Sequence, residues 1–239
     1  MAINTSIKLG VILVLLLGFT KLQAQENYLE YDYHILDSLR AEGYAENSIE
    51  IIDSYYFLGF DYFTVNVDST RFYVNKVMEL SKSVNYQLGM ASAFYLKGII
   101  NDIVGNEEQS LAYYKIAKDI FEQENDTVMV GNCFGAIGLI QGKNGYYTDA
   151  IKSHKKSFSL VRDYSVDLII VTGNLISAYL ENQQPDSAMK YLKLLSAQVA
   201  KSNSISSRLD HIDAKAHYWE TLNDLDSAVH YYKQGGSNC

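Results

Sequence analysis

The chain has 239 residues, with 28 acidic against 20 basic side chains and a net charge of −8. That balance argues against nucleic acid, whose phosphates demand a basic footprint. Two cysteines in a chain of this length do not make a disulfide framework.

Residues 1–24 read as a secretory signal. Lys8 supplies a positive start, and Leu9 to Thr20 form an apolar run. Leu22-Gln23-Ala24 then places a small residue before Gln25, the expected cleavage point. The apolar run falls short of the ~20 residues that a membrane span needs, although an uncleaved N-terminal anchor is the alternative. No cysteine lies near Ala24, which disfavours lipoprotein processing, and no second apolar run of spanning length follows. Setting aside Lys8 and Lys21 leaves 18 basic against 28 acidic residues, a net charge of −10 for an exported chain.

Residues 25–45 are expected to carry one helix, near 27–41. From residue 46 to 235 a single local pattern recurs. Thr70 sits in VDSTRFYV, Ser110 in EEQSLAYY, Ala150 in YTDAIKSH, Ala188 in PDSAMKYL and Ala228 in LDSAVHYY. The interval is nearly constant, at about 40 positions, and such a period marks a solenoid. Its units are too small to bury their own apolar faces and so stack on one another. Twelve positions before each small residue stand Leu58, Gly98, Gly138, Ile176 and Ala216. Five before the last four lie Gly105, Gly145, Gln183 and Asn223, of which the glycines and Asn223 suit a left-handed helix C-terminus. Asp68, Glu107, Thr148, Asp186 and Asp226 then open a second helix, where acids and hydroxyls can cap N–H groups and favour the positive dipole end. Pro185 belongs in or beside the first turn of its helix. The unit is helix A, a tight turn, then helix B. In the second unit Phe94, Gly98, Ile99 and Ile103, then Leu111, Tyr114, Ala117 and Phe121, keep the helical spacing.

Helix B of the fifth unit is expected to stop at Gly235-Gly236, with 236–239 as a tail and no polar capping helix after it. Solenoids usually end in a solvating unit. Trp219, Tyr231 and Tyr232 are therefore expected to be partly exposed, covered by another chain, or followed by further sequence, and self-association through this end is one outcome.

The chain offers no recognisable chemistry. There is no HExxH, no Gly-x-Ser-x-Gly elbow and no phosphate-cradling glycine loop. His211 and His217 fall on different faces of a helix, and His154 takes a packing position of helix B. Cys133 reads as a small buried apolar residue, while Cys239 is available for an intermolecular bridge. No catalytic residue, metal site or cofactor is expected, and the chain reads as non-enzymatic.

On these residues the chain resembles the tetratricopeptide repeat (TPR) family over roughly 46–235. Phe94, Gly98, Ser110, Tyr114 and Ala117 match its pattern, as do Phe134, Gly138 and Ala150, then Tyr179, Ala188 and Leu192, then Ala216, Trp219, Ala228 and Tyr232. The first unit matches weakly, the family's late proline is absent, and the longer period implies helices about a turn longer. The resemblance implies an all-α, right-handed solenoid of about five helix-turn-helix repeats. Asp-Ser-(Ala/Thr) openings and the ILDSLRAEGY start also resemble extracytoplasmic TPR regions of Bacteroidetes signalling proteins, which accompany histidine kinases or helix-turn-helix regulators.

TPR geometry implies that the concave face carries Tyr55, Tyr62, Tyr95, Asp102, Lys143, Glu181, Asp210, Asp213, His217 and Glu220. The Lys and Asn residues with which relatives clamp a chaperone's C-terminal carboxylate are mostly missing there, which disfavours that ligand. Tyrosine is abundant, 20 against a single tryptophan. Most should fill slots between helices, as at Tyr114 and Tyr232, but rigid tyrosines in a groove suit peptide recognition. The expectation is an exported protein- or peptide-binding scaffold, the sensory or interaction part of a bacterial signalling system. An envelope assembly or adaptor factor is the alternative.

Overall fold

The computed structural model describes residues 30–161, 165–201 and 204–237; the expected leader over 1–24 and Cys239 lie outside them. A first helix, α1, covers 30–41. Five A/B pairs follow: α2 (Ile49–Tyr62) with α3 (Val67–Ser83), α4 (Gln87–Ile103) with α5 (Glu107–Gln123), α6 (Thr127–Lys143) with α7 (Tyr147–Val161), α8 (Ser165–Glu181) with α9 (Pro185–Val199), and α10 (Ile205–Thr221) with α11 (Leu225–Ser237). Among the described residues there is no strand.

One turn geometry repeats along the chain. Asn85, Gly105, Asn125, Gly145, Gln183 and Asn223 all have φ between 55° and 80°. After each, the next N–H reaches back five positions, as from Asn106 to the Asn101 carbonyl (2.8 Å) and from Asp224 to that of Trp219 (3.0 Å). The left-handed residue itself reaches back three, Gly145 to Gly142 at 2.9 Å. These are Schellman closures, which satisfy carbonyls a helix end leaves orphaned. They end A and B helices alike. The α2–α3 turn differs: Asn66 caps α3 through its side-chain oxygen, which accepts from the N–H groups of Asp68 (3.0 Å) and Ser69 (3.2 Å).

The residues expected to open the B helices lie in their first turns, but the capping atom comes earlier where one is present. Asn66 does this for α3 and Asp224 for α11, whose carboxylate accepts from the Ser227 N–H at 3.1 Å. Asp68, Glu107, Asp149, Asp186 and Asp226 then sit at the positive dipole end. Pro185 begins α9, where its missing N–H leaves no intrahelical bond unmade.

Every small position is buried: Thr70, Ser110, Ala150 and Ala188 completely, and Ala228 almost so. Each lets helix B lie close on helix A, and Ser110 Oγ donates to the Gly98 carbonyl at 2.7 Å across that contact. Volume is exchanged across the same seam. A Cβ added at Gly98 would meet the Tyr114 ring at 2.5–2.9 Å, and one at Gly138 would meet the His154 ring at 2.7–2.9 Å. Where helix A carries Leu58 or Ile176 instead, helix B answers with Val74 or Leu192, all four buried. A large ring thus faces glycine and aliphatics of middle size face each other, which keeps the seam filled as close-packed interiors require. His154 is therefore a core residue; burial drives its pKa down to about 4.

Consecutive A helices touch directly, α2 with α4, α6 with α8 and α8 with α10, so they form the inner row of the solenoid. Helix α1 docks on α2 and α3 through buried Leu36 and through Tyr33, whose hydroxyl meets that of Tyr73 at 2.8 Å. At the other end α11 does not stop at Gly235-Gly236 but runs to Ser237. Glycine in a helix costs about 1 kcal/mol relative to alanine without forbidding the helix. Gly235 also lies close against Ile212 of α10, where an added Cβ would stand 3.5 Å from Cγ2. Of the aromatics expected at this end, Tyr232 is exposed, while Trp219 and Tyr231 are half-buried.

Candidate functional site

The inner row carries several of the expected groove residues as pairs bridging neighbouring A helices. Lys143 Nζ on α6 lies 2.6 Å from Asp102 Oδ1 on α4. His217 Nε2 on α10 lies 3.6 Å from Glu181 Oε1 on α8. Tyr62 on α2 meets Tyr33 of α1, hydroxyl to hydroxyl at 3.2 Å, and that bond together with burial pushes its pKa up to about 12. Ion pairs this exposed contribute at most ~1 kcal/mol each; Lys143 offsets Asp102, while Glu181, Asp210, Asp213 and Glu220 leave the groove acidic towards its C-terminal end.

The other expected positions differ in kind. Tyr55 is only 5% exposed. Its hydroxyl donates to Glu46 and accepts from Arg40 at 2.7 Å, so it locks α1 to α2 from inside the core and offers no surface to a ligand. Burial, then Glu46, drive its pKa up to about 12. Tyr95 is half-buried against the Tyr114 ring, with centroids 5.4 Å apart. Asp210 and Asp213 are exposed on α10, and Glu220 accepts from the Tyr232 hydroxyl at 2.9 Å within its own repeat.

A well-formed concavity lies elsewhere on the inner row. A cavity of about 820 Å³ opens between α1, α2 and the N-terminal ends of α4 and α6. Its size falls in the range of ordinary ligand sites. Asp102–Lys143 pins α4 to α6 at their C-terminal ends, while Leu88 and Ser92 of α4 and Met129 and Asn132 of α6 line the cavity at the other. Phe121, 1% exposed, closes the bottom; Tyr31, 63% exposed, and Phe57, 54% exposed, stand at the rim. Tyr56, Phe60 and Tyr86 complete an aromatic wall.

Four carboxylates share this space: Asp32 from α1, Asp53 and Asp61 from α2, and Asp126 before α6. Among the described residues, no lysine, arginine or histidine lines it. Asp126 is partly engaged, accepting from the Met129 N–H at 3.0 Å as the cap of α6. Asp53 accepts from the Tyr86 hydroxyl at 3.0 and 3.3 Å, yet burial still raises its pKa, with Glu50 adding to the rise. The carboxyls of Asp32 and Asp61 lie within hydrogen-bond reach of each other. Burial and then the Asp32 charge push Asp61 up to about 6, and burial raises Asp32. The cavity is thus a negatively charged pit with aromatic sides.

Sequence reasoning built on family positions missed this site. The signal was there in part: Asp53, Phe57, Phe60 and Asp61 recur at helical spacing on one face of α2, away from the core stripe of Ile51, Ile52, Tyr55 and Leu58. Nothing in the sequence tied Asp32 to Asp61.

No protein-family model matches the sequence, and no curated protein matches it either. Solved structures do match its fold. BtubC (BKLC) from P. vanneervenii superposes with a TM-score of 0.63 at 13% identity, covering 90% of this chain and 91% of that one. A Podosopora anserina putative kinesin light chain with nearly identical TPR-like repeats gives 0.58 at 13% identity, covering 78% and 94%. A Rap protein complexed with competence and sporulation factor gives 0.64 at 15% identity; the match covers 90% of this chain and 58% of that one. At these identities the likeness establishes the fold: an all-helical, TPR-like repeat solenoid.

Proposed function

We propose that this chain is a non-enzymatic scaffold that binds a protein or peptide outside the cytoplasm, as the sensory or interaction part of a bacterial signalling system. The observation that carries the reading is the cavity on the inner row, with Tyr31 and Phe57 exposed at its mouth. Large apolar side chains held open beside a concavity mark an interaction site. A Rap protein of this fold is known in complex with competence and sporulation factor, which supports a solenoid of this kind holding a ligand. The leader-like residues 1–24 support export.

Panning the full chain against random peptides displayed on phage tests the binding reading. Enriched clones should lose affinity when Phe57→Ala and Tyr31→Ala are combined. Absence of any enriched clone, or binding indifferent to both changes, counts against it. Intact-mass analysis of the exported protein tests location: cleavage after Ala24 is expected, and a retained Met1 on a membrane-associated chain speaks against it.

A further inference from the structure

We propose that the cavity between α1, α2, α4 and α6 receives the cationic side chain of a lysine or arginine carried by an extended peptide. The proposal rests on the peptide-binding reading above and deepens it.

The feature is a walled cavity, in which the carboxylates are one part. Its volume and lining suit a long side chain: an aliphatic stem can lie along Leu88, Met129 and the Phe60 ring while the charged head reaches the carboxylates. Aromatic faces flanking a cation add attraction, and more of it as water is excluded. The charge demands the same occupant. Asp32, Asp53 and Asp61 converge from two helices, with no basic side chain among the described residues of the lining. A guanidinium or ammonium placed among them makes charge-assisted hydrogen bonds. It also relieves the crowding of Asp61 by Asp32.

A bare divalent cation fits less well, because it needs several oxygens in one tight shell. Here the Tyr86 hydroxyl occupies Asp53 and the α6 amide occupies Asp126, so two of the four carboxylates are already engaged. A peptide is favoured over a free amine by what surrounds the pit. Tyr31 and Phe57 extend the apolar surface outward. The Asn132 side-chain amide contacts the Met129 sulfur at 3.8 Å. That side chain can bond a peptide backbone with both donor and acceptor.

The test uses the full chain and three blocked pentapeptides: acetyl-Leu-Ala-Lys-Ala-Leu-amide and its counterparts with glutamine or glutamate at the centre. Affinity is read by calorimetry and by amide chemical shifts of Tyr86, Gly89 and Asn132. The lysine peptide should bind about tenfold or more tighter than the glutamine one, equivalent to ~1.4 kcal/mol, and the glutamate peptide most weakly. That preference should collapse in Asp61→Asn and, because Phe57 is largely on the surface and its truncation spares the core, also in Phe57→Ala. Equal affinity for the three peptides, or a glutamate preference, overturns the cationic inference and leaves the scaffold reading standing. So does silence of all three when phage panning yields binders. A lysine preference that survives both substitutions also overturns it, since the cation is then held elsewhere on an acidic chain. Silence in both experiments overturns both readings.

Discussion

Replacing Asp61 with asparagine should stabilise the protein at neutral pH. In the native state its carboxyl is held at about 6, against an ordinary 3.8, by burial and then by Asp32. One pKa unit is about 1.4 kcal/mol, so a shift of roughly two units corresponds to about 3 kcal/mol before screening. Asp61 is only partly buried. Solvent cuts such energies substantially, and about 1–1.5 kcal/mol is the expected gain. An asparagine amide can also donate to Asp32 where a second carboxylate cannot. The sign with pH follows from the direction of the shift. A carboxyl whose folded pKa is raised penalises the fold fully above about 6, and the penalty fades as pH falls towards 3.8. The variant's advantage in urea midpoint should therefore be largest near about pH 7.5, shrink through about 5.5 and vanish by about 4. Asp32, Asp53 and Asp126 face the same space, with Tyr86 bonded to Asp53 and Glu50 beyond it. Asp32 and Asp53 sharpen the same trend because burial raises them too. A variant less stable than the parent at neutral pH, or an advantage independent of pH, refutes the reading of Asp61 as a carboxyl raised by burial and by Asp32.

Four further outcomes are checked by the same melts. Gly98→Ala should cost about 1–3 kcal/mol, because its Cβ would enter the Tyr114 ring. Gly173→Ala in α8, where an added Cβ meets open space, should gain about 0.5–1 kcal/mol. Asn125 holds a φ of 62°. Asn125→Ala should cost about 1–2 kcal/mol at that left-handed position, and Asn125→Gly should be neutral or stabilising.

The repeat register was legible because it is written locally. Thr70, Ser110, Ala150, Ala188 and Ala228 mark the A/B seam in the sequence and are all buried in the structure. Gly105, Gly145 and Asn223 announced left-handed turns for the same reason. Asn85 and Asn125 make the identical turn after B helices, and went unread because the pattern was anchored on the A-to-B turn alone. Tertiary contacts explain what remained hidden. Tyr55 stands at a position whose counterpart Tyr95 is partly exposed, but Arg40 and Glu46, contributed by α1 and the segment after it, draw its hydroxyl inward. The acidic pit depends on the same docking of α1, since Asp32 and Asp61 lie far apart in the sequence and share no period.

The recurrence of one turn has a consequence for how such a chain can change its length. Asn85 and Asn125 are the same residue with φ of 55° and 62°, each followed by the same back-bond across the helix end. Excising 86–125, or copying it, would join two ends whose backbones already have matching directions. The splice would leave α1 and α2 intact while exchanging the helices that complete the pit. Reach and selectivity are thus separable in this architecture: the number of units sets how far the inner surface extends, and the choice of unit placed after α3 sets what that surface accepts.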